Sequence, residues 1–401
     1  MGWVDSIFKK SKMIVGNECE AELITSLLDY VYSGKNVKVP RKIQIAAAYD
    51  LCIAATYYAN ITNSGWLYCN ADRPRVILPF VNCCPIHAIQ KQFHYHKSNK
   101  PTSAVIGQAT TRVLLLFYQE LLKRQHENIK VKQGTEPVDA VFIDETNKIA
   151  FLCEIKSSPL LTPALTYECE TVTDYDSDGS IVPIGHRPIT AQHIINQTLS
   201  ILIPELIDNE WKPNYYTLGK KTNSTDVSYA FKGLTHLVDD NRFMDSYMTY
   251  WMHSYDAYCN INRSVSIFWL TNACGKPSNL PSDWQGGTTC ISDEKTSVGM
   301  DRTDDIKKGI YQVLKIGSSA KESKSGWIFK VGIISNIHPA RHFEVYLGSI
   351  KDLVWTIYED DVKCAKDLPP DWPLYNLFDG IVTFTQLYAR DSWIRKTFEG
   401  L

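Results

Sequence analysis

The chain has 401 residues, 44% of them hydrophobic and 21% charged, with a formal net charge of −2. That length and composition fit a globular protein with one large domain or two ordinary ones. The charge argues against a bulk cationic coat for nucleic acid but leaves room for a local basic groove, since phosphate contacts need only a handful of well-placed Lys and Arg. No run approaches 18 apolar residues, so no membrane span is expected. The N-terminal stretch MGWVDSIFKKSKM lacks the apolar centre of a signal peptide. Its match to a myristoylation pattern, through Gly2 and Ser6, is short enough to arise by chance. The eleven cysteines are scattered through apolar runs and read as reduced thiols of a cytoplasmic protein.

In chain order, residues 17–33 carry Ala21, Leu23, Ile24, Leu27, Leu28 and Val31 at helical spacing, with Gly34 as the stop. Residues 41–59 form a second helix, apolar nearly all round and therefore buried. Residues 64–100 change character, with aromatics, prolines, cysteines and histidines. Cys69, Cys83, Cys84 and His87 are candidate zinc ligands there. Their spacing matches no standard pair, because Cys83 and Cys84 are adjacent, and the bland alternative is a loop-rich element with structural thiols. Residues 103–125 form a third helix. Glu120 ends one of its apolar stripes, and it is either a third acidic ligand for the site described next or a surface residue paired with Lys123 or Arg124.

The stretch 137–156, PVDAVFIDETNKIAFLCEIK, has the grammar of a β-hairpin. With Thr146 and Asn147 at the centre of the turn, Asp139 faces Glu154, and alternation puts Lys156 on the face of Glu154. Like charges opposite each other destabilise a sheet. A divalent cation is the usual reason to place them so, and carboxylates with water and phosphate oxygens describe a Mg²⁺ site. The plain alternative is a surface hairpin with a solvated Glu–Lys pair, against which stands the apolar run Ile149–Cys153.

After the hairpin, residues 157–188 read as irregular, and Asp174-Tyr-Asp-Ser-Asp-Gly lacks the twelfth-position glutamate of a calcium loop. Residues 189–208 read as a helix interrupted at Pro204. Residues 211–233 read as a polar, basic loop in which Lys220, Lys221 and Asn223 suit contact with nucleic acid, or else an ordinary surface loop. Residues 240–258 read as a helix, Ser264–Leu270 as a buried strand, and 274–300 as a long loop. A helix from 303 to Lys315, stopped by Gly317, is followed by a strand over Phe329–Ile334. A helix over His342–Ile357, a β-like run at Leu377–Thr385 and a short helix at Arg390–Phe398 close the chain.

Asp139, fourteen intervening residues and Glu154-Ile155-Lys156 resemble the PD-(D/E)XK nuclease motif, with the proline displaced by one in Pro137-Val138-Asp139. The segment from Gly299 to Gln312 is similar to one found in some Type II restriction endonucleases. The resemblance implies an α/β fold with a restriction-endonuclease-like core, a central mixed sheet flanked by helices, and a helical N-terminal part. On that view residues 1–100 serve DNA recognition or dimerisation, and residues 101–401 form the nuclease core with inserted recognition loops, all in one continuous domain. It implies Mg²⁺-dependent, site-specific hydrolysis of double-stranded DNA by a homodimer. Asp139, Glu154 and the Ile155 carbonyl would hold the metal, Lys156 would act on the attacking water, and Gln312 or Gln192 would support the site. The alternatives are a repair or transposon-end nuclease on the same core, a non-catalytic DNA-binding protein of that fold, and a zinc-stabilised interaction module centred on residues 69–96.

Overall fold

The computed structural model describes all residues except 1–2, 62–65, 97, 99, 170–172, 176–177, 184–190, 274, 280–297, 322, 324, 357–368, 371 and 373. The helices, in chain order, are α1 (Trp3–Lys10), α2 (Glu18–Tyr32), α3 (Arg41–Ala59), α4 (Pro85–Ile89), α5 (Ser103–Gln125), α6 (Ser228–Val238), α7 (Asn241–Cys259), α8 (Ser266–Trp269), α9 (Thr303–Ala320) and α10 (Ser392–Phe398). The first strands are β1 (Lys12–Met13), β2 (Leu67–Cys69), β3 (Arg75–Leu78), β4 (Ile129–Gln133), β5 (Ala140–Asp144), β6 (Ile149–Ile155), β7 (Ala164–Glu168), β8 (Thr173–Tyr175) and β9 (Ile181–Pro183). They are followed by β10 (Thr198–Ile207), β11 (Glu210–Lys220), β12 (Ile328–Ser335), β13 (Val354–Trp355), β14 (Tyr375–Asn376), β15 (Gly380–Thr383) and β16 (Leu387–Ala389).

The chain forms two compact units. One comprises residues 1–16, 110–158 and 298–401, and the other residues 17–109 and 159–297. The chain passes between the units after residues 16, 109, 158 and 297, and the first sixteen residues belong with the later segments. Among the described residues, no helix is long and apolar enough to cross a membrane.

The first unit is built on a seven-stranded mixed sheet in the order β1-β4-β5-β6-β12-β15-β16, with the charged hairpin β5–β6 at its centre. β5 and β6 are antiparallel, while β12 runs parallel to both β6 and β15. Parallel neighbours demand cover on both faces, and the alternation of the strands supplies it. Val141, Ile143, Ala150, Leu152, Val331 and Ile333 meet Ile306, Val313 and Ile316 of α9 on one face. On the other, Phe142 and Phe151 pack with Tyr118 of α5 and Phe398 of α10 in edge-on and tilted ring contacts. Gly317, expected to stop α9, lies buried within it. The apolar stripe continues through Ile316 and Ala320, and its burial outweighs the ~1 kcal/mol that a mid-helix glycine costs. The helix expected over 342–357 is a single π-helical turn, Phe343–Gly348, followed by β13.

The second unit packs helices against a five-stranded sheet ordered β11-β10-β7-β3-β2. α2 starts at Asn17, whose side chain accepts the Glu20 N–H, and gives way to Gly34 at φ 70°. α3 is buried all round, as its composition requires. In its middle sits Asp50, fully buried, with one carboxylate oxygen accepting the N–H groups of Leu160 and Leu161, each at 2.9 Å, and the Trp251 indole N–H at 2.7 Å.

Several expectations in this unit are overturned. Residues 157–188, read as irregular, carry β7, the middle strand of the sheet, together with β8 and β9, and the loop read over 211–233 holds most of β11 and the start of α6. Residues 198–207 are a strand, paired with β11 around Asp208 and Asn209, which take φ 52° and 63°. Successive left-handed residues fit a two-residue hairpin turn, and Asp and Asn tolerate them. Leu199, Ile201 and Ile203 alternate on one side, which is strand rather than helix periodicity. Ser264–Leu270 is not a strand either: residues 266–269 form a short helix, and the Trp269 indole donates back to the Arg263 carbonyl. An apolar run this short fits both patterns. The expected loop over 274–300 falls mostly outside the described residues.

Candidate active site in the hairpin

The site is set by pairing arithmetic. β5 pairs β6 with Ala140 opposite Cys153, Phe142 opposite Phe151 and Asp144 opposite Ile149. Continuing that register puts Asp139 opposite Glu154, as expected from the turn. The Asp139 N–H donates to the Cys153 carbonyl at 3.0 Å, and Asp139 Oδ2 accepts the Ile155 N–H at 2.9 Å. The first acid is therefore held by the backbone of the strand that carries the second. Glu154 is 5% exposed and its carboxylate accepts from the Lys156 ammonium, which also lies 3.4 Å from the Ile155 carbonyl.

Both acids project from the face covered by α9. Glu154 pairs across the parallel ladder with Ile333. Above Ile333 sits Gly309 of α9, where a β-carbon would come within 3.2 Å of the Ile333 side chain. The glycine lets the helix approach the strand beside the acid. Gln312, nearly one turn further along, has its side-chain oxygen buried with no hydrogen-bond partner. The segment after Lys156 is also fixed. Asn336, at the end of β12, donates to the Ser158 carbonyl at 2.8 Å and accepts the Ser158 N–H at 3.2 Å. The Ser157 and Ser158 hydroxyl oxygens are buried and unpartnered. The Asn336 clamp was missed from sequence because it joins positions 178 residues apart.

Burial, then the neighbouring Asp139 carboxylate, push the Glu154 carboxyl up to about 7, against the opposing pull of Lys156. The fold therefore holds a carboxylate pair that one ammonium does not fully neutralise. Since the folded value lies above the ordinary one of 4.5, the stability linked to Glu154 is full below about pH 4.5 and is lost as pH rises through about 7. Glu154→Gln keeps the shape and removes the charge. In EDTA at pH 8 it is expected to be more stable than the wild type by ~1–3 kcal/mol, with the gain shrinking towards zero at pH 5. Denaturant unfolding at the two pH values measures this, and a Gln variant less stable than the wild type at pH 8 would show that the ion pair outweighs the burial.

The other candidates separate. Glu120 is paired with Arg124 at 3.2 Å and Lys123 at 4.0 Å on its own helix. It does not form a three-acid ligand group with Asp139 and Glu154. The surface-pair alternative therefore holds for Glu120. The Gln192 side chain lies outside the described residues. Lys220 and Asn223 are exposed, but Lys221 is 4% exposed, its ammonium donating to the Asp226 carbonyl and lying 4.9 Å from the centre of the Tyr229 ring. It is turned inward and unsuited to phosphate contact, a correction to the expected basic loop over 211–233, of which residues 211–220 lie in strand β11 and 228–233 in α6. In the same unit, Cys83 points its sulfur at the Trp269 carbonyl and is not grouped with Cys69, Cys84 and His87. It is removed from the candidate zinc ligands.

No protein-family model, curated protein or solved structure matches the chain.

Proposed function

We propose that this chain is a Mg²⁺-dependent nuclease of the PD-(D/E)XK type that hydrolyses double-stranded DNA, with site-specific Type II restriction as its specific form. The observation that supports this most is the convergence of Asp139 and Glu154, in register on one sheet face, with Lys156 against Glu154. The seven-stranded mixed sheet flanked by helices is compatible with a restriction-endonuclease-like core. The donor set fits magnesium. Two carboxylates and the Ile155 carbonyl are hard oxygen ligands, and the raised Glu154 value marks a place where added positive charge is favourable.

When bound, the metal supplies Lewis-acid polarisation of the scissile phosphate and a lowered pKa for water. The chain's own residues do the rest. Asp139, pinned by the Ile155 N–H, and Glu154 orient the hard-ligand face towards the phosphate. The Lys156 ammonium is placed to hold the attacking water and to stabilise the negative charge that builds on the phosphoryl oxygens. Attack of that water on phosphorus forms one P–O bond as the bond to the 3′ oxygen breaks, leaving a 3′-hydroxyl and a 5′-phosphate. Gln312 offers its unpartnered oxygen as an acceptor from water near the site. A homodimer reading a palindromic sequence is part of the same proposal.

Incubation of the purified protein with a phage genome tests it. Discrete fragments in Mg²⁺, absent in EDTA, are expected. A smear would point to a nonspecific nuclease, and intact DNA retarded in a gel would support the non-catalytic DNA-binding alternative.

A further inference from the structure

We infer that Cys69, Cys84 and His87 form a zinc site in the second unit, with solvent as the fourth ligand. The Nδ1 of His87 lies 3.2 Å from the Cys84 sulfur and 3.6 Å from the Cys69 sulfur. All three ligand atoms fall within 4.8 Å of one another. A tetrahedral zinc with bonds of about 2.3 Å to sulfur and about 2.0 Å to nitrogen separates those ligands by roughly 3.6 Å. The two nitrogen–sulfur separations are therefore already close to those of a zinc tetrahedron.

Local structure explains the arrangement. Cys84 is extended, with φ −71° and ψ 120°, and directly precedes α4. His87 follows three residues later, and that spacing brings its ring over Cys84. Successive side chains of extended backbone point opposite ways, so Cys83 enters the core as Cys84 faces the cluster. Cys69 ends β2, the edge strand of the five-stranded sheet. Its sulfur accepts the Ala71 N–H at 3.5 Å, and the Cys84 N–H is fixed to the His94 carbonyl at 2.9 Å. The His94 ring stacks on that of His87 with centroids 3.9 Å apart.

His87 Nδ1 lies within reach of both sulfurs at once. One imidazole nitrogen can donate one proton or accept one, yet two sulfurs converge on it. A cation satisfies both at once. The ion would tie an edge strand to a five-residue helix, in a region where β2 and β3 have only three and four residues.

Full-length protein purified without chelator, analysed by inductively coupled plasma mass spectrometry, is expected to carry about one zinc per chain. Cys69→Ser, Cys84→Ser and His87→Ala should each lose most of it, whereas Cys83→Ser and Glu154→Ala should keep it. Retention in Glu154→Ala separates this site from the proposed magnesium site. Because the ligand variants could misfold, wild-type protein stripped of metal and titrated with Co²⁺ gives a second readout: thiolate-to-cobalt charge-transfer and tetrahedral d–d bands. Absence of both zinc and cobalt binding, equal loss of zinc in Cys83→Ser, or a Cys69–Cys84 disulfide in freshly purified protein would overturn the assignment.

Discussion

Alanine at Asp139, Glu154 or Lys156 is expected to lower Mg²⁺-dependent DNA cleavage on the order of 10²-fold or more, while DNA binding measured in Ca²⁺ persists. The size of the effect follows from what each substitution removes. Without Asp139 the site loses the acid that the Ile155 N–H holds in place. Without Glu154 it loses the only strongly buried acid of the pair, the other being partly exposed. Without Lys156 the charge developing on phosphorus loses its nearest ammonium. Glu120→Ala is the contrasting variant. Its ion pairs lie along its own helix, and such pairs contribute only ~0.3–0.5 kcal/mol, so cleavage should change little. Single-turnover rates with a supercoiled plasmid measure all four. Full cutting by any of the three alanine variants would remove that residue from the mechanism, and a large loss in Glu120→Ala would return it to the site.

The second large effect concerns stability. Asp50→Ala is expected to destabilise the protein by ~3–5 kcal/mol. One oxygen of this fully buried carboxylate accepts three N–H groups, two from the backbone of Leu160 and Leu161 and one from the Trp251 indole. Alanine leaves three buried donors without an acceptor and a cavity beside α3. Asp50→Asn should cost less, because an amide oxygen can still accept some of these donors. Trp251→Phe removes a single donor and should cost least of the three. Equilibrium denaturation followed by far-UV circular dichroism ranks the variants. A loss below ~1 kcal/mol for Asp50→Ala would mean that those donors find other partners.

Local signals in the chain carried some elements well and failed for others, for identifiable reasons. The hairpin register was legible because one turn fixes every pair in an antiparallel ribbon, and the face of Glu154 then follows from alternation. α2, α3, α5 and α7 were legible as helices from their residue patterns, whereas the capping side chains of Asn17 and Asp240 emerged only in the structure. The hairpin β10–β11 was not, because Pro204 was taken as a break in a helix. It pairs instead with Pro213 across the ladder, where neither residue needs an N–H. Lys221 looked like a surface cation, and only tertiary contact shows it folded over Tyr229. The cluster of Cys69, Cys84 and His87 was half legible. Its residue types were evident, but Cys69 and Cys84 fit no familiar spacing, and the adjacent pair Cys83–Cys84 concealed which member faces the cluster.

The partner of β6 on its parallel side, β12, begins about 170 residues downstream. At ribosomal rates of roughly 5–20 residues per second, the finished hairpin waits on the order of ten to thirty seconds for its neighbour to emerge. Throughout that interval the largely apolar edge of β6 has no parallel strand beside it, and an unpaired edge of this kind is open to pairing with other chains. Nascent-chain yield in cells should accordingly depend on holdase chaperones and on translation speed through the intervening segment.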